Sequence, residues 1–421
     1  MAQINIGKAP SNSAVLPFYA TGAIAFVVLC FLLFISADSF TGHYFSPHIL
    51  TIVHVAALGW GTMIIFGAAH QLLPVICEQD LYSERIASFS WYTLTTGSAF
   101  LAFSFWDFRT GWLMISAASL VLVSILLYLV NVLATSRICR RYTIQKMFIA
   151  SSAIWLLFTA TVGLLLAINL HYPFFRQNHM EILKFHAHAG LAGWFLQLIT
   201  GVSTKLVPMF LLGKSNKENR LKAAFILQNA ALMLFISDGY FFEITARAMV
   251  YAALMLLGIM AWLTYLFDAY RGRIRRKVEL LMKQSFLSFF CLGLSILLIP
   301  VIFYGAGSKW TILYGSMLFM GWITSLILGM TFKTLPFIIW NGHYKHLSGK
   351  VKVPLPKHIY SEKLIPYQFW TFIAALFSFA LAIILQHDLL LRLAGLLWLT
   401  VSLIYGFNVL KTLLHKTKTL D

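Results

Sequence analysis

The chain has 421 residues, of which 60% are hydrophobic and only 11% charged, and it carries a formal net charge of +18. With a mean hydropathy of +0.80 it lacks the polar surface that a water-soluble fold of this length requires, so the class is a polytopic integral membrane protein. The positive charge lies in alternate loops between apolar stretches, and no nucleic-acid partner is expected.

A bilayer is crossed by about 20 apolar residues in a helix. Twelve such stretches are predicted in chain order, near residues 15–37, 48–76, 86–106, 110–134, 147–170, 181–212, 221–242, 246–268, 283–304, 309–340, 365–386 and 390–411. The first follows a leader whose only charge is Lys8 and has no small-residue cleavage site. It is therefore read as a retained span and not a signal peptide. Very short turns at Asp107–Arg109 and Glu243–Arg247 leave the count open by one.

Alternate loops carry the basic residues: Arg137, Arg140, Arg141 and Lys146 between spans 4 and 5, and Lys214, Lys217, Arg220 and Lys222 between spans 6 and 7. Arg271, Arg273, Arg275, Arg276 and Lys277 follow span 8, and Lys345, Lys350, Lys352, Lys357 and Lys363 follow span 10. This is the positive-inside pattern, and it puts both termini in the cytoplasm, with anionic lipid as a secondary partner. Cys30, Cys77, Cys139 and Cys291 form no Cys-x-x-Cys and read as small apolar fillers.

One segment recurs three times: HVAALGWGTMIIFGAAHQLLP from His54, HAGLAGWFLQLITGVSTKLVP from His188 and SMLFMGWITSLILGMTFKTLP from Ser316. Each Trp (Trp60, Trp194, Trp322) is followed fourteen residues later by a Pro (Pro74, Pro208, Pro336) and preceded six residues earlier by His54, His188 or Ser316. The motif falls on spans 2, 6 and 10. The expected fold is an all-α membrane domain, residues 1–421, of three four-helix repeats (about 15–134, 147–268 and 283–411) around a pseudo-threefold axis. Gly59, Gly193 and Gly321 should let these helices approach a neighbour closely.

Ionisable groups inside a membrane are costly, and each is a functional candidate. His54 and His188 hold one repeat position, so threefold geometry would give them similar depth and orientation. His186, two residues before His188, points to roughly the opposite side. His179 stands seven residues before His186 on the same face. Neutral imidazole ligates haem iron or copper, and aliphatic walls suit a porphyrin; the alternative is that these histidines bond backbone carbonyls and join helices. His70, sixteen residues after His54, reads as structural. Lys205 and Lys333 each lie eleven residues after their Trp, where Gln71 stands in the first copy. They either snorkel to phosphate or pair with an acidic group. Asp238, Glu243 and Arg247 could form a local ion cluster.

Twelve spans, cytoplasmic termini, four-helix repeats and a histidine on the second span resemble the catalytic subunit I of the haem-copper oxidases, including the cbb-type oxidase, the nitric oxide reductase large subunit and the NnrS-type proteins. The resemblance implies a low-spin haem ligand at His54, and K-F-H-A-H-A-G looks like the His-x-His of the NnrS type at His186 and His188. It further implies an oxidoreductase in the bacterial inner membrane, working with a redox partner or respiratory-complex subunits. The chain departs from the family after His188: no histidine occurs before His343, and span 10 has Tyr314 and Ser316 at the register of His186 and His188. The usual complete oxygen-reducing centre has no ligand set here. The expectation is one haem b, with copper as a second candidate cofactor on His179, His186 and His188. The haem would lie between spans 2 and 6 on His54, His186 and His188, for electron transfer or for binding or reducing a diatomic gas such as nitric oxide. A cofactor-free transporter or channel, or a structural or assembly subunit on the same fold, is the alternative.

Overall fold

The computed structural model describes residues 10–138, 143–305 and 307–417; Lys8, Cys139, Arg140 and Arg141 lie outside them. Among the described residues there are twelve helices and no strand. They are α1 (Asn12–Ile35), α2 (Pro47–Cys77), α3 (Glu84–Trp106), α4 (Trp112–Ile138), α5 (Ile144–His171), α6 (His179–Leu211), α7 (Glu218–Phe242), α8 (Ala248–Arg271), α9 (Leu280–Tyr304), α10 (Ser308–Tyr344), α11 (Leu364–Leu385) and α12 (Asp388–Leu413).

Eleven of the twelve are long and apolar enough to cross a membrane, and the protein is an integral multi-pass membrane protein. The exception is α3, which is rich in hydroxyls. Ser88, Thr93, Ser98 and Ser104 each donate to the carbonyl four residues earlier, so these groups are satisfied within the helix. Twelve separate helices result, eleven of them candidate spans, because both short turns are tight breaks. Phe108 and Gly111 take φ of 50° and 131° between α3 and α4, and Glu243 takes 62° after α7. Starts are equally local: Pro47 opens α2, Thr143 accepts from the Lys146 N–H at α5, and Asn178 accepts from the Met180 N–H at α6.

Helices α2, α6 and α10 share an irregularity that the spacing alone does not announce. Each widens into π-helical turns, at Val55–Thr62, Ala189–Leu196 and Met317–Ile323. The widening begins immediately after His54, His188 or Ser316 and takes in the Gly-Trp pair. Such insertions cluster at functional positions. The three glycines do permit close approach. A Cβ on Gly193 would stand 2.6 Å from the Trp155 Cβ, one on Gly59 3.2 Å from that of Ala25, and one on Gly321 3.1 Å from that of Cys291. Each motif helix thus lies backbone-close against the helix preceding it in the chain, namely α5, α1 and α9. Pro74, Pro208 and Pro336 sit inside their helices and do not end them; α10 runs on to Tyr344.

The chain divides into two compact units, with breaks inside α2 (between Ala69 and His70) and inside α3 (between Thr93 and Leu94). In the unit holding residues 70–93 and 110–278, α4 packs on α5, α5 on α6, α6 on α8 and α7 on α8. In the unit holding residues 11–69, 94–109 and 279–417, α1 packs on α12 and on the π turn of α2, α12 on α11, and α9 on α10. Buried aromatic contacts organise both interiors. Trp60 stacks on Phe26 at 4.3 Å, meets Tyr405 edge-on at 5.2 Å and donates to the Thr324 hydroxyl at 3.0 Å. Trp194 meets Tyr128 edge-on at 5.6 Å.

Candidate functional site

His54 belongs to one unit and His179, His186 and His188 to the other, and each group is described in its own unit. His54 closes the regular first part of α2, and its Nδ1–H donates to the Leu50 carbonyl at 2.7 Å. The ring stacks on Phe105 of α3 at 4.4 Å. A carbonyl oxygen only accepts, so the proton is on Nδ1 and the imidazole lone pair is on Nε2.

His188 repeats the arrangement on α6. Its Nδ1–H donates to the Lys184 carbonyl at 2.8 Å, again four residues back, and its ring lies 4.9 Å from Phe235 of α7. The geometry follows from helix periodicity: residue i−4 lies directly beneath, and the π turn that begins one residue later leaves this last regular carbonyl within reach. An Nδ1–H held by a backbone carbonyl fixes ring orientation and leaves Nε2 as the donor atom, which is the usual support of a metal-bound imidazole.

His186 faces elsewhere. Its Nδ1–H donates to the Thr159 carbonyl of α5 at 2.9 Å, and its ring fills the gap over Gly163, where a Cβ would come within 2.8 Å of Cε1. His179 is set in the opposite tautomer. Asn169 accepts the N–H groups of Phe174 and Phe175 through Oδ1, which leaves its Nδ2 to donate to His179 Nδ1 at 3.1 Å. The His179 lone pair is thereby engaged, and the proton resides on Nε2. The three histidines of α6 turn to three different neighbours. Among the described residues, no three His, Cys, Asp or Glu side chains gather as a metal-donor set.

The remaining predicted positions read as packing and pairing. His70 is buried, 5.5 Å and edge-on from Tyr128, the same tyrosine that meets Trp194. Lys333 pairs with Glu279, the residue just before α9, whereas Lys205 is exposed. Arg247 pairs with Asp238 at 3.0 Å and lies over Phe242, the local cluster expected there in part.

Sequence reasoning missed a second recurrence, Tyr-x-x-Asn/Asp, at Tyr128/Asn131, Tyr265/Asp268 and Tyr405/Asn408. Asn131 on α4 accepts the Ser83 N–H and donates to the Ser83 carbonyl, each at 3.0 Å. Asn408 on α12 does the same with Ser361, at 2.8 and 3.2 Å. On α8, Asp268 replaces the amide and takes the Ser215 hydroxyl and the Lys217 ammonium, both at 2.7 Å. Each residue fastens the segment leading into the preceding helix. The signal was available in the strings YLVN, YLFD and YGFN. No protein-family model matches this chain, and no curated protein matches its sequence.

Proposed function

We propose that this chain is a haem-binding membrane protein in which His54 and His188 are the iron-ligating imidazoles. The observation that carries the reading is their shared local design. Both hold one register position in the recurring motif, both donate Nδ1–H to the i−4 carbonyl, and both immediately precede a π-helical turn. The donor chemistry fits haem iron, and the aromatic neighbours, Phe105 and Phe235, fit a porphyrin edge. His186, held by Thr159, and His179, held by Asn169, act as struts that orient α6. Copper is the weaker part of the proposal, because no three-residue donor set is present among the described residues.

When bound, haem supplies one-electron exchange or an iron site for a diatomic gas such as nitric oxide. The chain's own residues hold each ring by its Nδ1–H, keep its lone pair on Nε2 and set one phenylalanine against it. The reading includes a three-repeat organisation. It is supported by the π turns, the glycine contacts, the Trp–Tyr edges and the Tyr-x-x-Asn/Asp fasteners. It also includes cytoplasmic termini, supported by the basic loops.

The test is purification in detergent followed by optical spectra and metal analysis. A Soret band that disappears in both His54→Ala and His188→Ala, and persists in His179→Ala, supports the proposal. A nitric-oxide-induced shift of that band assigns gas binding, and its absence favours electron transfer. Colourless, metal-free protein overturns the proposal in favour of a transporter or a structural subunit.

A further inference from the structure

The middle of α6 carries a polar problem that the haem reading does not touch. Gln197 is fully buried, and neither its Oε1 nor its Nε2 has a hydrogen-bonding partner in the protein. Gln228 on α7 is equally buried. Its Nε2 leans on the Thr200 hydroxyl at 3.5 Å, and its Oε1 has no partner. Thr200 stands one turn after Gln197 on the same face of α6, so both carboxamides border one locality. Nearby polar groups are already engaged with one another. Trp262 donates to the Ser203 hydroxyl at 3.0 Å, and Gln145 donates to the Thr204 hydroxyl at 3.1 Å. On the α8 side the Gln228 side chain lies close against Gly258, where a Cβ would stand 2.9 Å from its Cγ.

One unpartnered carboxamide and one half-satisfied carboxamide inside a membrane-spanning bundle are each costly if they stay dry. The groups left over are two carbonyl oxygens and one amide NH2. A cation would satisfy the oxygens and strand the amide; an anion would do the reverse. Only a small neutral molecule that both donates and accepts satisfies all three, and water is the smallest such molecule. We propose that Gln197, Gln228 and Thr200 form a buried hydration site in the bilayer-spanning part of α6 and α7, occupied by ordered water. The matching position of α10 is satisfied within the protein: Ser325, at the register of Gln197, exchanges two hydrogen bonds with Gln284, at 2.8 Å to its carbonyl and 3.1 Å from its Nε2.

Water-edited solid-state NMR of the full chain in lipid bilayers, labelled at glutamine side chains, tests this independently of any haem. Magnetisation from water is expected to reach the Gln197 and Gln228 amides at least several-fold faster than that of Gln284, with assignments from Gln197→Met and Gln228→Met. Gln197→Met should also slow the transfer to Gln228. A Gln197 amide as slow as Gln284 overturns the proposal, as does a Gln228 rate indifferent to Gln197→Met. Amide shifts on exchanging sodium for a bulky organic cation would place a cation there and also overturn it. Should the variants not fold, slow transfer at every buried amide of the wild-type chain is sufficient refutation.

Discussion

Helices α6 and α10 are built on one template and loaded differently. Both carry Gly-Trp in a π turn, a lysine eleven residues after the Trp and an internal proline. Both lie backbone-close on the preceding helix. On α10 the special positions are ordinary: Ser316 stands at the register of His188, Ser325 is paired with Gln284, and Lys333 is paired with Glu279. On α6 the same positions hold an imidazole, an unpartnered carboxamide and an exposed ammonium. The widened turn and the close glycine therefore belong to the scaffold, and chemistry is added by single side chains at fixed places on it.

The comparison can be broken in four ways. The largest effect is expected at the imidazole register: His188→Ala should abolish the Soret absorbance, whereas Ser316→Ala should leave it unchanged, as read from the haem-to-protein ratio after purification. Equal loss in both would show that scaffold damage, not ligation, is responsible.

Next come the glycines. Gly193→Ala forces a methyl against Trp155 at 2.6 Å and should cost about 1–3 kcal/mol, because a packed interface yields little. Gly321→Ala meets Cys291 at 3.1 Å and should cost less. Thermal unfolding in detergent ranks them, and a larger loss for Gly321→Ala would reverse the assignment of the tighter crossing.

A smaller difference separates the lysines. Lys333→Met should lose the Glu279 pairing, of order 0.2–1 kcal/mol for a pair that reaches solvent, and a double-mutant cycle with Glu279→Gln should recover a coupling of that size. Lys205→Met should change the melting temperature negligibly. The smallest expected effect is on spectra: His186→Ala should broaden the Soret band without removing it, because the ring acts through its hold on Thr159.

The spans were legible because a bilayer demands long apolar runs, and the motif helices were legible because Gly-Trp and Pro recur at fixed offsets. The register of His54 and His188 could be read the same way. Their tautomers could not, since these depend on which carbonyl each ring meets in space. Lys333 pairs with a residue 54 positions away, a distance at which sequence spacing carries no signal. The π turns coincide with the three Gly-Trp copies, but spacing alone does not tell a widened turn from a regular one. Gln197 was passed over since a lone buried amide becomes informative only when its neighbours are known to be occupied elsewhere.

The fastener on α8 differs from its counterparts on α4 and α12 in one respect with a practical outcome. Asn131 and Asn408 clasp a serine backbone through neutral amide bonds, while Asp268 grips Lys217 through opposite charges at a partly exposed position. Added electrolyte weakens the ionic clasp and spares the neutral ones. Limited proteolysis at rising ionic strength should therefore open the chain first between α6 and α7, which makes the middle third of the molecule the part whose looseness responds to the surrounding medium.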